Sequence, residues 1–420
     1  MSKNLFLLCC LFVTQHGFSQ SLDFTALLDS GKAEFKRQAV ADSPDFSNAY
    51  SLLSQAVKKQ PGNTEGRYFL AHVIDRINSS DGKEMYLSKK RLTIEASQHL
   101  EAINKLTPSY SGEMWLLDPY SKISAIWSGQ AMAYLYAGKS DSAIYAFREG
   151  RQRGGFINPV LDYNRHLLNS CQKNAFLISS GDMVTFPLLY LQSIEKLRPD
   201  VTIIDCNLLN TAWYVRYLNQ KQHLKLSYNN NDIDTLVYKE WTPTEVSLAD
   251  PDNPGNGIKW TLRPTYGERY VLKSDLMLLD ILKQNLHSRP LHYTTGPDTT
   301  SSLFLDSFLQ PDGLLFTLVR NDADLARLVE AAPGKLQTYS IEKINDEDIR
   351  KSQDAVFLLN EYRRAYLTCI AYIHSRSQFA NAMKLMNEMD RKFNVNKLPW
   401  SSEQQQQYSD QLRETIRKQL

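Results

Sequence analysis

Apolar residues set two different rhythms along this chain, and the change between them divides it. From 24 to 153 they recur at spacings of three and four, as one face of a helix requires. Ala49, Leu52, Leu53 and Ala56 share a face, and Pro61-Gly62-Asn63 ends that helix. Tyr68, Leu70, Ala71, Val73 and Ile74 open the next, and Ala96, Leu100, Ala102 and Ile103 mark a third. Ile123, Trp127, Ala131, Tyr134 and Leu135 belong to a fourth, closed by Gly138. Ser140-Asp141-Ser142 then caps a helix carrying Ala143, Ala146 and Phe147.

At 174 the rhythm shortens. Ala175 to Ser179 is an apolar run that reads as a buried strand, Thr185 to Lys196 a helix, Val201 to Asp205 a second strand and Leu208 to Leu218 a second helix. A strand and helix, twice in about 45 residues, predict parallel strands, which need such crossovers. Leu272 to Leu286 reads as a helix, Pro290 to Thr294 as a strand and Gly313 to Val319 as a closing strand. Between them, 228–260 carries turn signals such as Asp250-Pro-Asp-Asn-Pro-Gly255 and reads as an irregular insertion. From about Asn345 the helical rhythm returns, through Val356, Leu358, Tyr362, Tyr366 and Ile370, then Phe379, Ala382, Met383 and Met386, then a polar helix from Glu403 to Gln419.

The stretch Ala131 to Phe147 resembles a tetratricopeptide unit: small alanines let two helices approach, Gly138 turns the chain and a large residue fills the gap. The resulting expectation is an α/β plus α fold, with a parallel or mixed α/β layer flanked by tetratricopeptide-like helical hairpins. Its parts are 21–155 (helical repeats), 172–320 (α/β domain) and 345–420 (C-terminal helices). Helix-pair arrays offer a concave face to peptide or protein, so a protein partner is expected there.

Residues 1–20 read as an address. Lys3 precedes the apolar run Leu5 to Val13, and small and polar residues follow, as in a secretory signal peptide. The run is too short to span a bilayer, which needs about 20 residues, and no other stretch is long enough. The expectation is an exported, periplasmic or envelope-associated protein with no transmembrane segment in its mature part. Cys9 and Cys10 lack the small residues expected before a lipidated cysteine, although lipidation stays open. Cys171, Cys206 and Cys369 are too few and too scattered for a disulfide framework.

Composition narrows the function classes. With 48 basic and 46 acidic residues the net charge of +2 excludes nucleic-acid binding by bulk electrostatics. Glycine, at 18 of 420, is below the usual ~7% and argues against multiple phosphate loops. No GxGxxG, Walker, HExxH or Gly-x-Ser-x-Gly pattern occurs, so no cofactor, metal or serine nucleophile is expected.

Three blocks then carry a family likeness: Gly181-Asp-Met-Val-Thr-Phe-Pro-Leu-Leu-Tyr-Leu191, Arg198-Pro-Asp-Val201 and Leu208-Leu-Asn-Thr-Ala-Trp-Tyr214. Together they are similar to the soluble C-terminal module of bacterial protein O-mannosyltransferase-like multi-pass membrane proteins. Arg289-Pro-Leu-His-Tyr293 and Gly313-Leu-Leu-Phe-Thr-Leu318 extend the likeness in the same order. This chain departs from the family where Met183-Val184 replaces Asn-Asp and Ala212 replaces an acid. It is also expected to lack the membrane-embedded half to which sugar transfer is ascribed, so the resemblance implies an accessory role.

In open parallel sheets ligands sit beyond the carboxyl ends of the strands. That places Asp182, Thr185, Asp205 and Asn207 at a candidate ligand site, with Trp213 and Tyr214 as either a stacking platform or core packing. Asp182 and Thr185 equally suit a helix N-terminus, where capping and the dipole favour them. The expectation is an interaction or accessory module of the cell envelope without its own catalysis. The alternative is a glycan-binding or glycan-processing enzyme that uses the Asp182–Thr185 loop.

Overall fold

The N-terminal part is helical because most segments carry an apolar stripe, and α1, α3 and α5 are started by a capping Asp or Asn side chain. A computed structural model describes residues 23–249, 257–287, 289–294 and 302–420. The export-signal reading of 1–20, with Cys9 and Cys10, lies outside these residues, as do Asp250 to Gly255, Thr295 and Gly296. Helix α1 (Phe24–Ala39) begins at Asp23, whose carboxylate accepts from the Ala26 amide. Next come α2 (Ser47–Lys59), α3 (Thr64–Ser79), capped by Asn63, and α4 (Lys90–Leu106). Helices α5 (Pro119–Tyr136) and α6 (Ser140–Gln152) meet across a turn at Gly138, whose φ of +72° favours glycine. Consecutive helices pack in pairs: α1 on α2, α3 on α4, α5 on α6. Helix α5 is buried from Pro119 to Ala133 and forms the axis of this part.

After α7 (Asn158–Ser170), the α/β layer starts with β1 (Phe176–Ser179), α8 (Asp182–Ile194) and β2 (Thr202–Asp205). A short 3-10 turn (Leu208–Asn210) leads to α9 (Ala212–Lys221) and α10 (Asn230–Thr235). Strands β3 (Tyr238–Glu240) and β6 (Tyr270–Leu272) form one small antiparallel pair, and β4 (Thr244–Leu248) and β5 (Ile258–Leu262) another. Helix α11 (Lys273–Asn285) then precedes β7 (Leu291–Tyr293), β8 (Leu309–Asp312) and β9 (Leu315–Leu318). The main sheet runs β2-β1-β7-β9-β8, with β2, β1 and β7 parallel and the last two antiparallel. Leu177 and Ile203 pack with Val184, Leu188 and Leu191 of α8 in one core. Phe176, Ile178, Ile204 and Leu291 pack with α9 and α11 in a second. The fold is thus α/β plus α, with a mixed sheet.

Several elements differ from the sequence reading. The helix expected over 208–218 is broken at Thr211, whose extended backbone separates the 3-10 turn from α9. The closing strand is a hairpin, turned at Gly313 with φ +66°. Its other arm, β8, contains Pro311, which an edge strand accommodates. Helix α7 lies between the expected helical repeats and the expected α/β domain. Helix α12 (Asp322–Thr338) lies ahead of 345 and buries only Leu336. The insertion is α10 and the two small strand pairs.

The chain ends in α13 (Asp346–Arg350), α14 (Gln353–Ser375), α15 (Phe379–Lys392) and α16 (Glu403–Arg417). Helix α14 packs on α7, α15 and α16. Arg363 is fully buried and donates to the Phe393 and Leu398 carbonyls, 2.6 Å each, fixing the link between the last two helices. Among the described residues no helix is long and apolar enough to cross a membrane.

Candidate functional site

The chain leaves β1 through α8 to reach β2 on one side, and later returns to β7 on the other side of β1. This divergence makes the carboxyl end of β1 the switch point, where a crevice opens. Ser179 pairs in register with Asp205, and Ile178 with Tyr293.

Asp205 is buried, and every donor around it is already in use. Its Oδ1 accepts from the Asn207 and Leu208 amides, 2.9 Å each, and its Oδ2 accepts from the Thr185 hydroxyl. Thr185 and Ser179 hydroxyls lie 2.8 Å apart, and the Asp205 amide donates to Tyr214 Oη at 3.0 Å. Burial raises the Asp205 pKa, and the Thr185, Leu208 and Asn207 donors oppose the rise. The arrangement is an acid that starts the 3-10 turn and ties it to α8.

Asp182 is different. It is exposed, at the first turn of α8, in a cleft of about 260 Å³ between the strand ends and helices α3 and α5. The cleft is also lined by Asp75, Arg76, Asp81, Lys122 and Asn207, with Met85, Ile126 and Phe186 as apolar wall. Lys122 Nζ is 2.7 Å from Asp75, and Arg76 is 2.5 Å from Asp81. Asn207 Nδ2 donates to Ser180 Oγ at 3.0 Å. The Asp182 carboxyl is pushed up to about 6, first by desolvation, with Asp205, Asp75 and Asp81 adding and Lys122 opposing. Because the side chain reaches solvent, this is enclosure by the surrounding protein rather than full burial.

Trp213 and Tyr214 lie in the core, each 2% exposed. Trp213 Nε1 donates to the Gly82 carbonyl at 2.9 Å, and its ring meets Tyr86 and Tyr136. It fastens the α/β layer to the N-terminal helices. Of the sequence-predicted residues, Asp182, Asn207 and Asp205 line the cleft, Thr185 is buried beneath Asp205, and Trp213 and Tyr214 lie in the core. Sequence reasoning missed Asp75, Arg76, Asp81 and Lys122. One signal was present: Lys122 is the only charged residue in the 18 positions of α5.

A second buried polar chain lies at the other face of β7. The Gln172 amide donates to His292 Nε2 at 3.2 Å, and His292 Nδ1 donates to Thr317 Oγ1 at 2.8 Å. Thr317 donates to Asp312 at 2.9 Å, and Lys335 pairs with Asp312. Burial pushes His292 down to about 4, so it is neutral, and its partners fix the tautomer. All its members are satisfied, and it joins β7, β9 and α12. Among the described residues, no group of three or more His, Cys, Asp or Glu side chains is placed to hold a metal ion.

Residues 160–241 and 246–332 match the family model described as TMEM260-associated domain 2. The chain is 28% identical over 89 residues to the protein O-mannosyl-transferase tmem260 of Dictyostelium discoideum, covering 21% of this chain and 10% of that protein. It is 37% identical over 59 residues to the protein O-mannosyl-transferase TMEM260 of Mus musculus, covering 14% and 8%. The matched part thus spans about a tenth of the length of these curated relatives. No solved structure matches this chain. The α/β layer and the strand-end rim of the cleft fall inside the residues that match this family model.

Proposed function

We propose that this chain is a non-catalytic accessory module of protein O-mannosylation, which holds a mannose-bearing ligand in the cleft without transferring it. Residues 1–20 direct it to the cell envelope. The helices over 21–155 are the repeat array that grips a protein partner, an envelope membrane protein of the transferase type. The observation that supports the reading is Asp205: its carboxylate takes three donors from its own fold, which hold it as a structural acceptor. The other acids that line the cleft, Asp75 and Asp81, are paired with Lys122 and Arg76, whereas acid–base chemistry at a glycosidic centre uses two free, positioned acids. What remains open suits binding. Asp182 and Asn207 offer acceptors and donors to hydroxyl groups, and Phe186, Met85 and Ile126 offer an apolar wall.

The test incubates the full chain with a lipid-linked mannosyl donor and a serine- and threonine-rich acceptor peptide. The expected result is no mannosylated peptide from this chain alone, and the same result for Asp182→Ala. Turnover by the chain alone that vanishes in Asp182→Ala would establish the enzyme reading instead.

A further inference from the structure

Two helices from opposite ends of the sequence meet head to head. Asp118 starts α5 and Ser352 starts α14, and their N-termini share one set of capping groups. Asp118 Oδ1 accepts from the Ser121 amide at 3.0 Å. Its Oδ2 accepts from the Ser352 hydroxyl and, at 3.2 Å, from the Asp354 amide. In return Asp354 Oδ2 accepts from the Asp118 amide at 2.7 Å. Ser352 Oγ also caps its own helix, accepting from the Ala355 amide at 3.0 Å. Asp118 and Ser352 are both almost fully buried. The two carboxyl groups therefore face each other where the N-terminal helices join the C-terminal ones.

Among the described residues no cation forms an ion pair with either carboxyl. Tyr68 and Tyr120 face it as neutral phenols, each raised by desolvation. Nearby, Lys351 is taken by Asp348 at 2.8 Å, and Lys122 by Asp75. Two carboxylates that each accept from the other's amide are like charges in one junction, which disfavours double ionisation, whereas one shared proton relieves the repulsion. The two helix N-termini favour negative charge but supply it with only partial positive charge.

We propose that Asp118 and Asp354 form a proton-dependent clasp, which locks α14 to α5 when the pair holds one proton and loosens that junction when both carboxyls are ionised. The Asp354 carboxyl is pushed up to about 7, first by desolvation and then by the Asp118 charge. An unfolded aspartate titrates near ~3.9. The folded chain therefore binds this proton more tightly than the unfolded chain. The resulting stabilisation is complete below about pH 4 and is lost as pH rises to about 7.

The test is urea unfolding of the full chain at pH 5, 6, 7 and 8, for the wild type and for Asp354→Asn. The amide accepts and donates as the protonated acid does, without titrating. Relative to Asp354→Asn, the wild-type folding equilibrium is expected to fall by up to about tenfold per pH unit between 5 and 7, then to level off. In Asp118→Asn, whose asparagine still caps α5, the fall shifts to lower pH because the neighbouring charge is gone. The carboxyl carbon resonance of Asp354 should titrate near neutrality in the wild type and lower in Asp118→Asn. A wild-type to Asp354→Asn ratio that stays flat from pH 5 to 8, or an Asp354 resonance that titrates near an ordinary aspartate, would overturn the clasp. If Asp354→Asn does not fold, the Asp118→Asn shift and the resonance decide the matter alone.

Discussion

The strand rim and the helix clasp each enclose an aspartate close to a second acid, Asp205 buried and Asp354 half-buried, and they resolve the problem in opposite ways. At the rim Asp205 is surrounded by donors: two backbone amides and a threonine hydroxyl. At the clasp Asp354 faces Asp118, and the amides available are divided between the two. Burial raises both. Only at the clasp does the charge of a neighbouring acid add to it, carrying the group to about 7. Donor supply, more than burial, decides whether an enclosed acid remains a structural anion or becomes a proton holder.

The largest effect should come from emptying the rim. Asp205→Ala leaves the Asn207 and Leu208 amides and the Thr185 hydroxyl without their acceptor, and should cost about 3 kcal/mol or more in urea unfolding. A loss under about 1 kcal/mol would mean that water replaces the carboxylate easily. Thr185→Val keeps the shape but removes the donor to Asp205, with an expected loss of about 1–2 kcal/mol. At the clasp the sign reverses: Asp354→Asn should stabilise the chain at pH 7, whereas Asp205→Asn should destabilise it. If both substitutions move stability in the same direction, the contrast between the two regions fails. The smallest effect is expected at Asp182→Ala, within about 0.5 kcal/mol, because the side chain is exposed and holds no other element in place. Its signature lies in pH dependence. The raised Asp182 pKa gives a stabilising contribution, kept small by solvent screening, that is lost as pH rises from about 4 to 6 and that Asp182→Asn should flatten in a thermal-melt series.

Much of this was legible where local signals agreed. The strands ending in Ser179 and Asp205 are short β-branched or apolar runs bounded by Gly181 and Arg198-Pro199-Asp200, and they appear within about a residue of expectation. The latter turn carries an Arg198–Asp200 pair at 2.9 Å, and Arg198 also donates to the Leu168 and Cys171 carbonyls. What escaped has physical causes. Strand β8 contains a proline that only its edge position explains. Helix α12 has a weak apolar stripe, with Pro333 and Gly334 inside it. The far wall of the cleft comes from α3 and α5, more than 50 residues from Asp182 in the chain, and no spacing rule connects Asp75 or Lys122 to that loop. Trp213 and Tyr214 were ambiguous for a different reason, since an aromatic pair suits a stacking surface and a core equally. The clasp depends on Asp118 and Asp354, 236 residues apart, and only the folded chain brings them together.

The central claim is that the cleft between the strand ends and α3/α5 is a binding site for a mannose-bearing ligand. Titration calorimetry of methyl α-mannoside and a mannosylated peptide into the full chain at pH 7 tests it most directly, with Asp182→Ala in parallel. The account predicts saturable heat for the wild type that is lost in the variant, at unchanged melting temperature. Absence of heat in the wild type, or equal heat in Asp182→Ala, would contradict it.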